Sequence, residues 1–137
     1  MQPLLLDTHA AIWITRNERL APQAEEAVNA AHPAERAVFV SPITAWEVGL
    51  LVARQRLNLL MTPERWFRHL LDVPGVRLAD MSPDLLIAAS FLPGKPPRDP
   101  ADRILVATAR DLGATLITRD RALIAYGADG YISVVAC

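Results

Sequence analysis

Four acidic side chains stand out by where they fall against the apolar runs: Asp7, Glu47, Asp102 and Asp120. Taken singly, each is better read as a solvated or helix-capping group. Taken together, they would repel one another within a few ångströms and raise each other's pKa unless a cation neutralised them. An all-oxygen donor set of this kind favours Mg2+ or Mn2+ over zinc. Histidine does not offer a rival site: His9 is close to Asp7, but His32 and His69 lie in distant segments. The lone cysteine, Cys137, closes the sequence and excludes an internal disulfide framework, which points to a reducing cytoplasm.

The elements that must position these acids follow from the alternation of short β-like runs with helical stretches. Pro3 to Asp7 reads as a buried first strand, followed by a short helix through Ala10, Ala11, Ile12 and Trp13 and a second from about Pro22 to Ala31. Val38 to Val40 reads as the second strand. Ser41-Pro42, Thr62-Pro63, Ser82-Pro83 and Asp99-Pro100 each open a helix with a capping residue and a first-turn proline. These helices are expected to reach about Arg54, to carry Trp66, Phe67, Leu70 and Leu71 on an apolar stripe, to reach about Phe91, and to stop at Leu112-Gly113. Strands are expected at Val76 to Leu78, Thr115 to Ile117 and Ile132 to Val135, with a short helix from Arg121 to Tyr126. The fold class predicted is α/β: one domain over residues 1–137, with a mostly parallel sheet of about five strands and helices on both faces.

In a right-handed β-α-β layout, strand C-termini and helix N-termini share one edge of the sheet. Asp7 ends strand one, Asp120 lies just beyond strand four, Asp102 is in the first turn of the helix entering that strand, and Glu47 is in the second turn of the helix leaving strand two. All four therefore meet on the edge where open α/β sheets place ligands. The helix N-termini there oppose a cation, so the carboxylates must outweigh them. Glu25, Glu26, Glu64 and Asp72 fall on helix faces instead, and Glu64 and Asp84 sit where first-turn acids favour the dipole.

Composition excludes several classes. The chain has 137 residues, 52% apolar and 21% charged, enough for one hydrophobic core and not a disordered composition. No apolar run approaches the ~18 residues of a membrane span, and the N-terminus lacks the basic region of a signal peptide. The net charge of −1 gives no reason to expect a polyanion partner. Arginine is far commoner than lysine, with Lys95 alone, and the scatter of the arginines fits a compositional bias of the genome better than phosphate binding. Arg54, Arg56, Arg65, Arg68 and His69 form a basic patch, read as a solvated face. Trp46 beside Glu47 is read as core by its apolar payload.

The chain resembles PIN-domain proteins of the VapC type. Leu4-Leu5-Leu6-Asp7-Thr8-His9 looks like their opening strand and first acid, and Ser41-Pro42-Ile43-Thr44-Ala45-Trp46-Glu47-Val48 like their second-acid segment. Asp99 to Ala109 is similar to the third-acid helix, and Leu116-Ile117-Thr118-Arg119-Asp120 to the segment with the last acid. The resemblance implies a PIN-like fold and a ribonuclease that is the toxin half of a toxin–antitoxin pair, usually a homodimer, blocked by a small antitoxin. A divalent ion on Asp7 and Asp102, with Glu47 and Asp120 completing the pocket, would lower the pKa of bound water for in-line attack on RNA, leaving a 5′-phosphate and a 3′-hydroxyl. Thr8, Ser41 and Thr118 are candidates to orient the acids, and Arg103 and Arg119 to hold substrate phosphates or pair with a carboxylate. The antitoxin is expected to mask the site, using exposed apolar helix stretches such as Leu57, Leu59, Leu60 and Met61.

Rival classes fit less well. A phosphatase-type phosphoryl-transfer domain wants a second acid two residues after the first, where this chain has His9. A receiver-like, Mg2+-binding signalling module wants a lysine after a late strand, whereas Lys95 sits in the Pro93–Pro97 loop.

Overall fold

The computed structural model describes residues 2–16 and 36–137; the helix expected over 22–31, with Glu25 and Glu26, and also His32, lies outside them. The described residues form β1 (Leu4–Leu6), α1 (Thr8–Thr15), β2 (Val38–Val40), α2 (Pro42–Ala53), α3 (Pro63–Asp72), β3 (Val76–Leu78), α4 (Pro83–Ala88), α5 (Pro100–Leu112), β4 (Thr115–Thr118), α6 (Arg121–Ala128) and β5 (Ser133–Ala136). The strands pair in the order β3-β2-β1-β4-β5, all parallel. The sheet grows from β1 toward β3 on one side and toward β5 on the other, so the crossovers part between β1 and β4. A crevice opens at such a switch point, outside the strand C-termini.

Period-two alternation sends the strand residues to two cores. Leu4, Leu6, Val40 and Ile117 pack with Ala10, Ala11, Val48, Trp66 and Leu70 on one face, while Leu5 and Leu116 pack with Leu105, Val106, Leu123 and Tyr126 on the other. Burial on both sides explains why β1 reads as an unbroken apolar run. The four proline-opened helices start as the sequence predicts, each with the preceding Ser, Thr or Asp side chain accepting a backbone N–H of its own helix. Glycine ends α5: Gly113 takes φ of 61°, the left-handed conformation that a C-terminal stop requires.

Three expectations are corrected. The helix opened by Ser82 ends at Ala88 rather than near Phe91, its last residues tightening into turns ahead of Pro93, whose ring disfavours helical backbone just before it. The run Leu57 to Met61 is not helical, and Leu57 and Leu59 pack against the core, leaving Leu60 and Met61 exposed. Trp46 is 57% exposed rather than core. Its helix carries one charged residue, Glu47, so its apolar period selects no face.

The loop that delivers α5 to the site is held from behind. The Tyr126 hydroxyl donates to the Pro93 carbonyl at 2.6 Å, and Tyr126 stacks on Tyr131 at 4.9 Å. Gly94, at φ 69°, lies so close to the Tyr131 ring that a Cβ would fall 2.4 Å from it.

Candidate active site

Asp7 leaves β1 as the N-cap of α1 and is 5% exposed. One carboxylate oxygen accepts the Ala10 N–H at 2.7 Å, and the other accepts the Thr118 hydroxyl at 2.5 Å. Thr118, the last residue of β4, is fully buried and also accepts the Asp120 N–H at 3.1 Å. One hydroxyl therefore joins the ends of the two strands that flank the switch point. Asp120 is the N-cap of α6, accepting N–H groups of Ala122 at 2.8 Å and Leu123 at 3.1 Å.

Glu47, half-buried on α2, accepts the Thr8 hydroxyl at 2.5 Å, and Thr8 lies 3.2 Å from the hydroxyl of Thr44. Asp102 is the third residue of α5, and Asp99 is the N-cap of that helix, accepting the Ala101 N–H at 2.8 Å. Capping and membership of the cluster are not alternatives, because Asp7 and Asp120 do both.

Electrostatics bind these groups into one cluster. Burial raises the pKa of Asp7, opposed by the bonds from Thr118 and Ala10. Burial likewise raises Glu47, opposed by Thr8 and reinforced by Asp99 and Asp7. Asp102 is pushed up to about 7: burial is the largest cause, followed by the negative charges of Asp120, Asp99, Glu47 and Asp7. The causes at Asp102 all raise it, so the arrangement is short of positive charge where Asp102 stands. Among the described residues no three of these acids close into a cage. The donor chemistry is nevertheless all carboxylate, which suits an ion such as Mg2+ that keeps several waters.

The remaining candidates go to other tasks. Ser41 is buried and caps its own helix, accepting the Ile43 N–H at 3.1 Å. Arg103 donates to the carbonyls of Ala89, Pro97 and Ser90 at 2.9, 3.2 and 3.2 Å, which ties the loop before α5 to the end of α4. Arg119 donates to the Cys137 carbonyl at 2.8 Å and lies 3.7 Å over the Trp13 ring. Arg54, Arg56, Arg65, Arg68 and His69 are all exposed. Thr44 was not singled out from the sequence, although its place three residues before Glu47 puts it on the same helix face. His9, which the sequence does not favour as a ligand, is exposed, and its charge opposes the rise at Asp7 and Glu47.

A family model described as PIN domain matches residues 4–128. Ribonuclease VapC22 from Mycobacterium tuberculosis (strain ATCC 25618 / H37Rv) is 35% identical over 124 residues, 90% of this chain and 91% of that protein. The fold is similar to a chain in the crystal structure of VapBC2 from Rickettsia felis bound to a DNA fragment from their promoter, with a TM-score of 0.67 and 13% identity over 98% of each chain. It is also similar to a chain of FitAcB from Neisseria gonorrhoeae, with a TM-score of 0.54 and 22% identity over 96% of this chain and 95% of that one. At these identities the two structures speak for the fold.

Proposed function

The chain belongs to the PIN domain family and to its VapC branch, and on that footing we propose that it is a metal-dependent endoribonuclease, the toxin of a toxin–antitoxin pair. The observation that carries the reading is the cluster of Asp7, Glu47, Asp99, Asp102 and Asp120, in which burial first and then the other four carboxylates push Asp102 up to about 7. Such a cluster calls for a cation, and its oxygen donors fit Mg2+ or Mn2+. Asp7 and Asp102 would hold the ion, with Glu47 and Asp120 completing the pocket. When bound, the ion supplies a water of lowered pKa and neutralises charge on the phosphate.

The chain's own residues prepare that chemistry. Thr118 and the Ala10 N–H fix both oxygens of Asp7, so its remaining lone pairs point in set directions. Thr8 does the same for one oxygen of Glu47. Hydrolysis adds the water oxygen to phosphorus and breaks the bond to O3′, giving a 5′-phosphate and a 3′-hydroxyl. EDTA should abolish cleavage of RNA by the purified chain, and Mg2+ or Mn2+ should restore it. Undiminished cleavage in EDTA with a 2′,3′-cyclic phosphate product would refute the mechanism.

The relatives VapBC2 and FitAcB lead to the second half of the reading, a small antitoxin that silences this site. Growth arrest on expression should be relieved by the product of an adjacent short reading frame, and persistence of the arrest counts against the pairing. A homodimer fits the apolar row Leu86, Ile87 and Phe91, of which Phe91 is 81% exposed. Sedimentation of the purified chain at the monomer mass would exclude it. The single buried thiol, Cys137, suits a cytoplasmic setting.

A further inference from the structure

Thr8 fixes one oxygen of Glu47, so the aim of that carboxylate depends on what holds the Thr8 hydroxyl. A glutamate has three side-chain torsions to fix, and Glu47 is only half-buried, so packing alone does not hold its carboxylate. The hydrogen bond the structure gives that carboxylate comes from Thr8. A threonine hydroxyl has one proton and two lone pairs. With its proton given to Glu47, Thr8 can only accept from Thr44, whose hydroxyl lies 3.2 Å away. With Glu47 ionised, the order of donation is set: Thr44 donates to Thr8, and Thr8 donates to Glu47.

The placement of the three residues makes this a fork and a peg. Thr44 and Glu47 stand three residues apart on α2, on neighbouring positions of one face. Thr8, the first residue of α1 and the neighbour of Asp7, enters between them. Thr44 is 0% exposed and Thr8 is 3% exposed, so water does not compete for these hydroxyls. Donation from Thr44 polarises the Thr8 hydroxyl and strengthens its bond to the carboxylate. It also keeps the Thr8 proton on Glu47, because a Thr44 hydroxyl that donates does not draw that proton toward itself.

We propose that Thr44 is a positioning residue that, through Thr8, sets the orientation of the Glu47 carboxylate. The inference rests on the reading of the acidic cluster for its purpose, but not for its geometry. Thr44 touches neither substrate nor ion and acts only at one remove.

Two substitutions separate the hydroxyl from the packing. Thr44→Val keeps the shape and loses the hydroxyl, whereas Thr44→Ser keeps the hydroxyl and loses the methyl. In metal-free protein, the Thr8 hydroxyl proton should resonate as a slowly exchanging signal, shifted and faster-exchanging in Thr44→Val and restored in Thr44→Ser. Calorimetry should show Mg2+ binding about 10-fold weaker in Thr44→Val, at the low end of the 10- to 100-fold losses typical of outer partners of metal ligands, and close to wild type in Thr44→Ser. Because Thr44 acts through Thr8, adding Thr44→Val to Thr8→Val should weaken binding no further. A Thr8 proton unmoved by Thr44→Val overturns the proposal, as does full additivity in the double variant. Should the wild type bind neither Mg2+ nor Mn2+ while Thr44→Val still moves the proton, the positioning role stands and the metal-dependent nuclease reading falls.

Discussion

The two acids expected to share one ion stand in different surroundings. Asp7 grows out of the middle of the sheet, with both oxygens already engaged by Thr118 and by the first turn of α1. Asp102 projects from the first turn of α5, and the influences on it, burial and four neighbouring carboxylates, all raise its pKa. The first corner is built into the fold; the second is strained by burial and by the charges around it. An acid that serves as both a structural partner and a ligand is expensive to remove, while an acid that only repels its neighbours is a burden until a cation arrives.

The largest effects test that contrast directly. Asp7→Ala and Asp102→Asn should each lower cleavage by about a thousandfold, since each removes a proposed ligand from where charge would develop. Their stabilities in EDTA should part. Asp7→Ala removes an N-cap and leaves the buried Thr118 hydroxyl without its acceptor, costing roughly 2 kcal/mol. Relief of repulsion alone would have suggested no cost for losing Asp7. Asp102→Asn should hold or raise the melting temperature by a few degrees. Equal losses of stability in thermal melts would erase the difference between the corners.

The pH dependence of the metal-free protein sharpens the same point. Asp102 titrates at about 7 in the folded chain against an ordinary 3.8, and Asp7 and Glu47 are raised as well. The folded state then binds more protons than the unfolded state across this window, so stability should fall as pH rises from about 4 to about 7. Urea midpoints measured in EDTA across that range should show the decline, and Asp102→Asn should flatten it. A midpoint that rises with pH through this window would contradict the direction of the shift. Saturating Mg2+ should remove most of the decline, because a bound cation favours the ionised form.

The contrast between the corners also marks what the sequence disclosed. Proline after Ser, Thr or Asp announced four helix starts, since a cap and a fixed φ are local chemistry. The apolar triplet Leu4 to Leu6 announced a strand buried on two faces, and strand-end positions brought Asp7 and Asp120 to one edge. Partnerships made across the chain were not legible. Arg103 and Arg119 offer phosphate contact or a carboxylate pair in the sequence, and the fold spends them on backbone carbonyls of residues 89–97 and 137. Trp46 looks like core because a mostly apolar helix hides which face it buries. Thr44 was silent because a hydroxyl acquires meaning only from the side chain it meets.

A smaller effect isolates the hydroxyl that supports the first corner. Thr118→Val keeps the volume but removes the donor to Asp7 and the acceptor of the Asp120 N–H. It should cost on the order of 1–2 kcal/mol. It should also raise the pKa of Asp7 further, since a hydrogen bond that favours its ionised form is lost. Carboxyl carbon chemical shifts of Asp7 followed against pH would read this, and an Asp7 curve that stays in place would show that Thr118 is not what moderates it.

The smallest effect belongs to Asp99, which shares a turn with Asp102 and touches both terms of the comparison. As N-cap before Pro100, its oxygen accepts the Ala101 N–H at 2.8 Å, a bond asparagine can also make. Asp99→Asn should therefore leave the melting temperature nearly unchanged, while Asp99→Ala should lose about 1 kcal/mol. The charge of Asp99 is a separate matter, because it is among the causes that raise Asp102 and Glu47. Neutralising it while keeping the cap removes one repulsion, so the pKa of Asp102 should move down from about 7 and the ionised form should persist to lower pH. Cleavage at neutral pH should change little, and its acid limb should shift the same way if Asp102 must be ionised to bind the ion. Calorimetry with Mg2+, run beside the melts and the Asp102 titration, distinguishes the outcomes. Loss of metal binding in Asp99→Asn, with Asp102→Asn still binding, would mean that α5 presents Asp99 rather than Asp102 as the ligand. An Asp102 titration unmoved by Asp99→Asn would mean that the two charges on this turn are screened from each other, and that burial with the other three carboxylates makes this corner the strained one.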